Sequence, residues 1–324
     1  MKIYPLKFTP ILKQKIWGGI SLINNLNKTS DFEKNIGESW ELSGVKGNES
    51  VVSNGLYKGI SIVDLLVRFK GDLVGDRVYK DFGDKFPLLF KFIDAADDLS
   101  LQLHPNDLLA KKRHGSLGKT EMWYVLDAKD GSKIYAGFNK ELNIETYFDF
   151  FTKGKILDTI HIDEVKKNDA FFIDVGTIHA IGKGILIAEI QQTSDITYRV
   201  YDWDRVDNNG KERELHTNLA IDALDFSKKG SCRLNYTNKV NCTNTVFSCN
   251  YFTTNKLNID KELKRELKKI DSFVVYMCVE GRGEIEVEGY VEDFKKGETI
   301  LIPACASKVL IKTNKNFQLL EVYI

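Results

Sequence analysis

The chain is dominated by short apolar runs that alternate with turn signals, and few of those runs are long enough to make a helix. Residues 86–95 (FPLLFKFIDA), 99–104 (LSLQLH), 122–126, 170–175, 184–191, 272–279 and 299–302 read as strands. Turns are marked by Asp130-Gly131 and by residues 182–184, 208–210 and 281–283. Helical spacing is confined to residues 62–69, 144–152 and 218–224. Many short strands at regular intervals require each strand to bury one face against a second sheet. The expected fold is therefore mainly β, a barrel or sandwich with small helical insertions.

A degenerate internal repeat divides the chain. KKNDAFFIDVGTIHAI (166–181) parallels KKGETILIPACASKVL (295–310), and WYVLDAKDGSKI (123–134) parallels VYMCVEGRGEIE (275–286) in the same order. Repeated strand–hairpin–strand units of this kind resemble a pair of cupin-like β-barrels of jelly-roll type. The expected domains are residues 1–225, carrying the chemistry, and residues 226–324, a degenerate second barrel. Glu121 and His179 of the first copy align with Phe273 and Lys308 of the second, and no histidine follows His216. Any metal site therefore belongs to the first unit.

Charge and cysteine content narrow the class. Lys+Arg and Asp+Glu are both 46, so the formal net charge is +0. This argues against a broadly basic nucleic-acid binder. The five cysteines are odd in number, lie in the last third and form no CxxC pair. Ordinary thiols in a reducing compartment are the expectation. Lys7, Lys13 and Lys15 interrupt the N-terminal apolar residues, and no apolar stretch approaches the ~20 residues of a membrane span. A cytoplasmic protein without a membrane partner follows as the expectation.

In 99–104 the alternation puts Leu99, Leu101 and Leu103 on one face and Ser100, Gln102 and His104 on the other. Lys119 and Glu121 share a face by the same rule, at the entry to an apolar run. His179 follows a strand and the turn Val175-Gly176-Thr177. Gln102, His104, Glu121 and His179 offer two nitrogens and two oxygens, a set suited to Zn²⁺, with Mn²⁺, Fe²⁺ or Co²⁺ as alternatives. Taken singly, each of these residues equally fits a solvated strand end. A third cluster, 191–203, gathers Arg199 and Asp195 among aromatic residues. On the residues alone it reads as a surface loop with an ordinary ion pair. Lys91, inside an apolar run, fits a snorkelling edge residue or a phosphate ligand equally well.

LSLQLHPND, GKTEMWYVL, GTIHAIGKGILIAEIQQTSDITYRVYDW, and the earlier IWGG and GESWELS resemble, in order from Trp17 to about Trp203, the type I mannose-6-phosphate isomerases in their short bacterial form. The resemblance implies a zinc enzyme that interconverts mannose 6-phosphate and fructose 6-phosphate through a cis-enediolate. It implies Gln102, His104, Glu121 and His179 as the zinc ligands, and Lys119, Asp195 and Arg199 as active-site residues. Lys119 is the expected acid or base, with Glu189 as a rival, and Arg199 stabilises enediolate charge or binds phosphate. Two departures stand out. The stretch between Glu121 and His179 is too short for the helical insertion of longer members, and Gly118 stands where some members carry His. A sugar-phosphate sensor that kept fold and metal, or an isomerase of another phosphosugar, is the alternative. The molecule is expected to act as a monomer or homodimer.

Overall fold

A computed structural model describes residues 2–32, 34–206, 210–227 and 230–324. The turn expected at 208–210 lies, apart from Gly210, outside the described residues. Strands are numbered β1–β21 in chain order. One sheet contains β2 (Ile11–Gly19), β3 (Ile36–Leu42), β4 (Leu88–Ala95), β11 (Ile185–Gln192), β6 (Glu121–Ala128) and β9 (Ala170–Ile173), in that order. Facing it are β12 (Tyr198–Tyr201), β5 (Leu101–Leu103), β10 (His179–Ile181), β7 (Lys133–Phe138) and β8 (Ile160–Glu164). The second unit has β1 (Leu6–Lys7), β19 (Thr299–Ile302), β16 (Val274–Glu280), β21 (Phe317–Tyr323), β14 (Thr253–Ile259) and β13 (Thr243–Ser248) in one sheet. Its other sheet is β15 (Glu262–Glu266), β20 (Lys308–Lys312), β17 (Arg282–Val287) and β18 (Tyr290–Lys295).

The repeat seen in the sequence is a repeat of topology. The order β4-β11-β6-β9 returns as β14-β21-β16-β19, and β5-β10-β7-β8 returns as β15-β20-β17-β18. Among the described residues no ladder joins the two sheets of a unit, so each is a jelly-roll sandwich rather than a closed cylinder. The units pack back to back. Phe90, Met122 and Ile190 from the first meet Val275, Met277 and Leu320 from the second in one continuous core. The short N-terminal strand β1 belongs by pairing to the second unit, with Leu6 opposite Leu301.

Alternation decides which side chains enter the first sandwich. Leu101 and Leu103 point outward and are covered by Tyr147 of the helix Ile144–Thr152 and by Tyr198. The alternate positions of β5 are thereby turned inward. Helices form at Ile62–Phe69 and Ile144–Thr152, the residues read as helical, and a shorter helix at Thr217–Ile221 replaces the one expected at 218–224. The helix Asp107–His114, capped by the Asn106 side chain on the Leu109 N–H, has no apolar periodicity to announce it.

Candidate active site

The inward faces of β3, β4, β5, β6, β10, β11 and β12 line a polar cleft between the sheets of the first unit. β10 pairs with β5, which sets His179 opposite Gln102, and β12 pairs with the other edge of β5, which sets Arg199 opposite the same Gln102. Glu121 enters from the facing sheet at the start of β6.

His104, Glu121 and His179 are all buried, and one potential ligand atom from each lies within 4.8 Å of the others. Glu121 Oε1 is 3.5 Å from His179 Nε2, and Glu121 Oε2 is 3.7 Å from His104 Nε2. The two imidazoles are oriented from behind. His104 Nδ1 is 2.8 Å from the Ile196 carbonyl oxygen, and His179 Nδ1 is 2.8 Å from that of Thr177. A carbonyl can only accept, so each Nδ1 carries the proton and each Nε2 turns a lone pair toward Glu121. Burial, reinforced by the charge of Lys119 and by the neighbouring His179, holds His104 well below its ordinary value. Burial and then Lys119 bring His179 down to about 3. Burial pushes the Glu121 carboxyl up to about 7 although Lys119 opposes it.

These residues fit a metal ion. Glu121 Oε1 and His179 Nε2 are buried with no hydrogen-bond partner, a costly state that a cation would relieve. Two neutral imidazoles and a carboxylate converging on one point have the donor chemistry of a divalent transition metal. The nearest cation, the Lys119 ammonium, lies 3.0 Å from His104 Nε2 and 2.5 Å from Glu121 Oε2. Gln102 lines the same cleft, and its Oε1 accepts from Ser100 Oγ at 3.1 Å.

The other expected residues are distributed around this cluster. Arg199 is half-buried and donates from Nη1 to the Glu214 carbonyl at 2.7 Å, while its Nε is buried without a partner. Asp195 lines the cleft, but no bond joins it to Arg199 among the described residues. Arginines of that wall are held by Asp202 instead, which accepts from Arg213 Nε at 2.7 Å and from Arg205 Nη2 at 2.6 Å. Lys91 neither snorkels nor stands free. It is buried on a central strand with Nζ 2.9 Å from Glu189 Oε1. Glu38 of β3 completes this wall, its Oε2 accepting from Trp40 Nε1 at 2.8 Å. Glu38 carries no sequence signal beyond its place in GESWELS. His114, His161 and His216 stay outside the cluster, bonded to Tyr198, paired with Asp163 and accepting from the Arg199 N–H respectively.

A buried His–Glu–His centre between the sheets of a jelly roll, with a second copy behind it that shows no such cluster among the described residues, defines a metal-binding protein of the cupin class. Residues 6–147 match the model of the phosphomannose isomerase type I catalytic domain, and residues 241–324 that of the mannose-6-phosphate isomerase cupin domain. The mannose-6-phosphate isomerase ManA of Bacillus subtilis is 37% identical, covering 94% of each chain. A mannose-6-phosphate isomerase of Streptococcus mutans is 35% identical, covering 92% of each. The crystal structure of the Bacillus subtilis mannose 6-phosphate isomerase superposes with a TM-score of 0.88 at 31% identity, covering 99% of each chain. The chain belongs to the type I phosphomannose isomerase family.

Proposed function

We propose that this protein interconverts mannose 6-phosphate and fructose 6-phosphate, with Zn²⁺ held by Gln102, His104, Glu121 and His179. The observation that carries the reading is the pair of unpartnered buried atoms, Glu121 Oε1 and His179 Nε2, beside a pocket lined by Lys119, Asp195 and Arg199. Two imidazoles, a carboxylate and an amide oxygen suit zinc. Bound there, the ion supplies Lewis-acid polarisation to the oxygens at the reacting carbons.

The chain's own residues do the rest. Gln102, His104, Glu121 and His179 would hold the ion, and Lys119 Nζ, 3.0 Å from His104 Nε2, stands at the edge of that cluster and lines the cleft. As the free amine, Lys119 takes the proton from one of C1 and C2, becomes the ammonium, and returns the proton to the other carbon. Glu189 is the weaker candidate for that step. One of its oxygens accepts from Lys91 at 2.9 Å and the other from Trp123 Nε1 at 3.1 Å. Burial would raise its carboxyl, but Lys119 and Lys91 outweigh burial and hold it at about 2. Arg199, with its Nε unpartnered, binds the enediolate oxygen or the phosphate, and Asp195 adds negative charge at the cleft. Residues 226–324 serve as the buttress of residues 1–225. Cysteines that form no disulfide among the described residues fit a reducing, cytoplasmic setting, and among those residues no helix is long and apolar enough to cross a membrane.

The test is a coupled assay for fructose 6-phosphate from mannose 6-phosphate, before and after chelation and with zinc added back. Activity lost to the chelator and restored by zinc is expected. Arg199→Ala is expected to abolish turnover while bound metal stays near one ion per chain. No turnover in metal-replete protein would turn the assignment to a sugar-phosphate sensor or to another phosphosugar.

A further inference from the structure

Lys119 has no strand of its own to hold it. It precedes β6, in a loop that begins after the helix Asp107–His114. The peptide groups on both sides of it are nevertheless fixed. The Gly118 N–H donates to Asp107 Oδ1 at 2.8 Å, and the Thr120 N–H donates to Gln192 Oε1 at 2.9 Å. Gln192 closes the ring, since its Nε2 donates to the same Asp107 Oδ1 at 3.0 Å and its N–H to the Thr120 carbonyl at 3.2 Å. Asp107 lies three residues beyond His104, just past β5, so the ring ties the Lys119 loop to the segment that carries two candidate ligands. The remaining carboxylate oxygen, Asp107 Oδ2, accepts from the Tyr251 hydroxyl at 2.7 Å. Tyr251 belongs to the turn between β13 and β14, in the second unit.

We infer that Asp107, Gln192 and Tyr251 are positioning residues that clamp the backbone of Lys119, and that the second unit takes part in the site through the Tyr251 hydroxyl. The inference rests on the role given to Lys119 above. Ordinary helix capping does not account for the pattern. A cap needs neither a bond to Gly118 nor a tyrosine from another unit, and the cap of this helix is already supplied by Asn106. The Lys119 side chain is long and flexible, so the direction in which Nζ enters the cleft depends on holding the two peptides that flank its Cα. Both carboxylate oxygens of Asp107 are occupied by donors, and a carboxylate bonded on both sides is a stiff anchor.

The test compares Tyr251→Phe, which removes one hydroxyl, with Asp107→Ala, on zinc-loaded enzyme. Tyr251→Phe is expected to lower kcat about tenfold, with KM and metal content unchanged. Asp107→Ala is expected to lower kcat on the order of 100-fold. Hydrogen exchange supplies the second readout, in which the amides of Gly118 and Thr120 should exchange faster in both variants while the strands β5 and β10 keep their protection. Unchanged kcat and unchanged exchange in Tyr251→Phe would overturn the clamp, as would a fall in kcat that tracks loss of metal. Lys119→Ala separates the two readings. Full activity in that variant removes Lys119 from the mechanism, and the exchange measurement still decides whether the clamp exists.

Discussion

Lys91 and Glu189 lie opposite one another in register on β4 and β11, with Nζ 2.9 Å from Oε1 and both side chains 4% exposed. Two charges in the centre of a sheet lose more hydration than their attraction returns unless other groups help. Here the help comes from Trp123, which donates to Glu189, and from Glu38 nearby, which with Glu189 raises the Lys91 ammonium against the effect of burial. The pair forms part of the cleft wall.

Breaking that pair from one side should therefore be far worse than removing it whole. Lys91→Met or Glu189→Leu alone leaves a buried charge and is expected to destabilise by roughly 3–5 kcal/mol. The double variant is expected to melt close to the parent and yet be inactive. Thermal unfolding of the three variants checks this, and a double variant that loses the sum of the two singles would show that the pair stabilises the fold outright.

Metal removal should be read in stability as well as activity. Ligands that bind only the folded state add stability in proportion to the logarithm of their concentration over Kd, about 2.7 kcal/mol at a hundredfold excess. Chelated protein is expected to melt several degrees lower, with zinc restoring the transition. His104→Asn is expected to abolish that shift, because it removes a lone pair fixed by the Ile196 carbonyl. Gln102→Ala should reduce it less, since an amide oxygen is the weakest donor of the four. A melting temperature indifferent to chelator would exclude the cluster as a metal site.

How much of this was legible in the sequence depends on the range of the interaction. The alternation at 99–104 is local, so Gln102 and His104 fall on the inward face as expected, although Leu99 lines the cleft and packs apart from Leu101 and Leu103. Glu121 enters on β6, whereas Lys119 lies ahead of that strand and is placed by the bonds at Gly118 and Thr120. The repeat is legible because corresponding strands follow one another in the same chain order in both units. Lys91 is ambiguous in sequence because its partner is 98 residues away and only strand register brings the two together. Asp202 attracts no notice beside Asp195, because the arginines it holds lie in the following loop. The bond from Tyr251 to Asp107 spans 144 residues and two units, and it leaves no local pattern at all.

Gly118 is a departure whose meaning comes from packing. A Cβ there would lie 2.8 Å from the backbone nitrogen of Asp107 and 3.0 Å from the Pro105 carbonyl oxygen. No side-chain rotation relieves a clash with backbone, so a histidine, which the family resemblance would allow here, has no room unless the loop moves. Gly118→Ala should push the Lys119 loop away from Asp107. Overpacking of this kind costs about 1–3 kcal/mol, and kcat is expected to fall on the order of tenfold or more while metal is retained. Parent-like kcat in Gly118→Ala would show that the loop tolerates the shift.

The junction between the two units contains a charge with no carboxylate partner. Lys256 on β14 is fully buried, with Nζ 2.5 Å from Tyr124 Oη and 3.3 Å from Asn168 Oδ1, and no ion pair involves it among the described residues. Burial, and then the charge of Lys167, lower its amine from 10.5 to about 8. The unfolded chain therefore binds more protons than the folded one between those two values, and stability must rise with pH across that window. Below about 8 the ammonium is charged in both states and its full penalty, about 3 kcal/mol by linkage, is carried by the folded protein. Lys256→Met removes the amine, and Tyr124 can still donate to Asn168 at 2.8 Å. The variant is expected to be more stable than the parent at pH 7.5, with the advantage shrinking steadily as the pH is raised toward 10. Unfolding temperatures of both proteins across that range decide the matter, and an advantage that does not change with pH would mean that Lys256 does not titrate in this window.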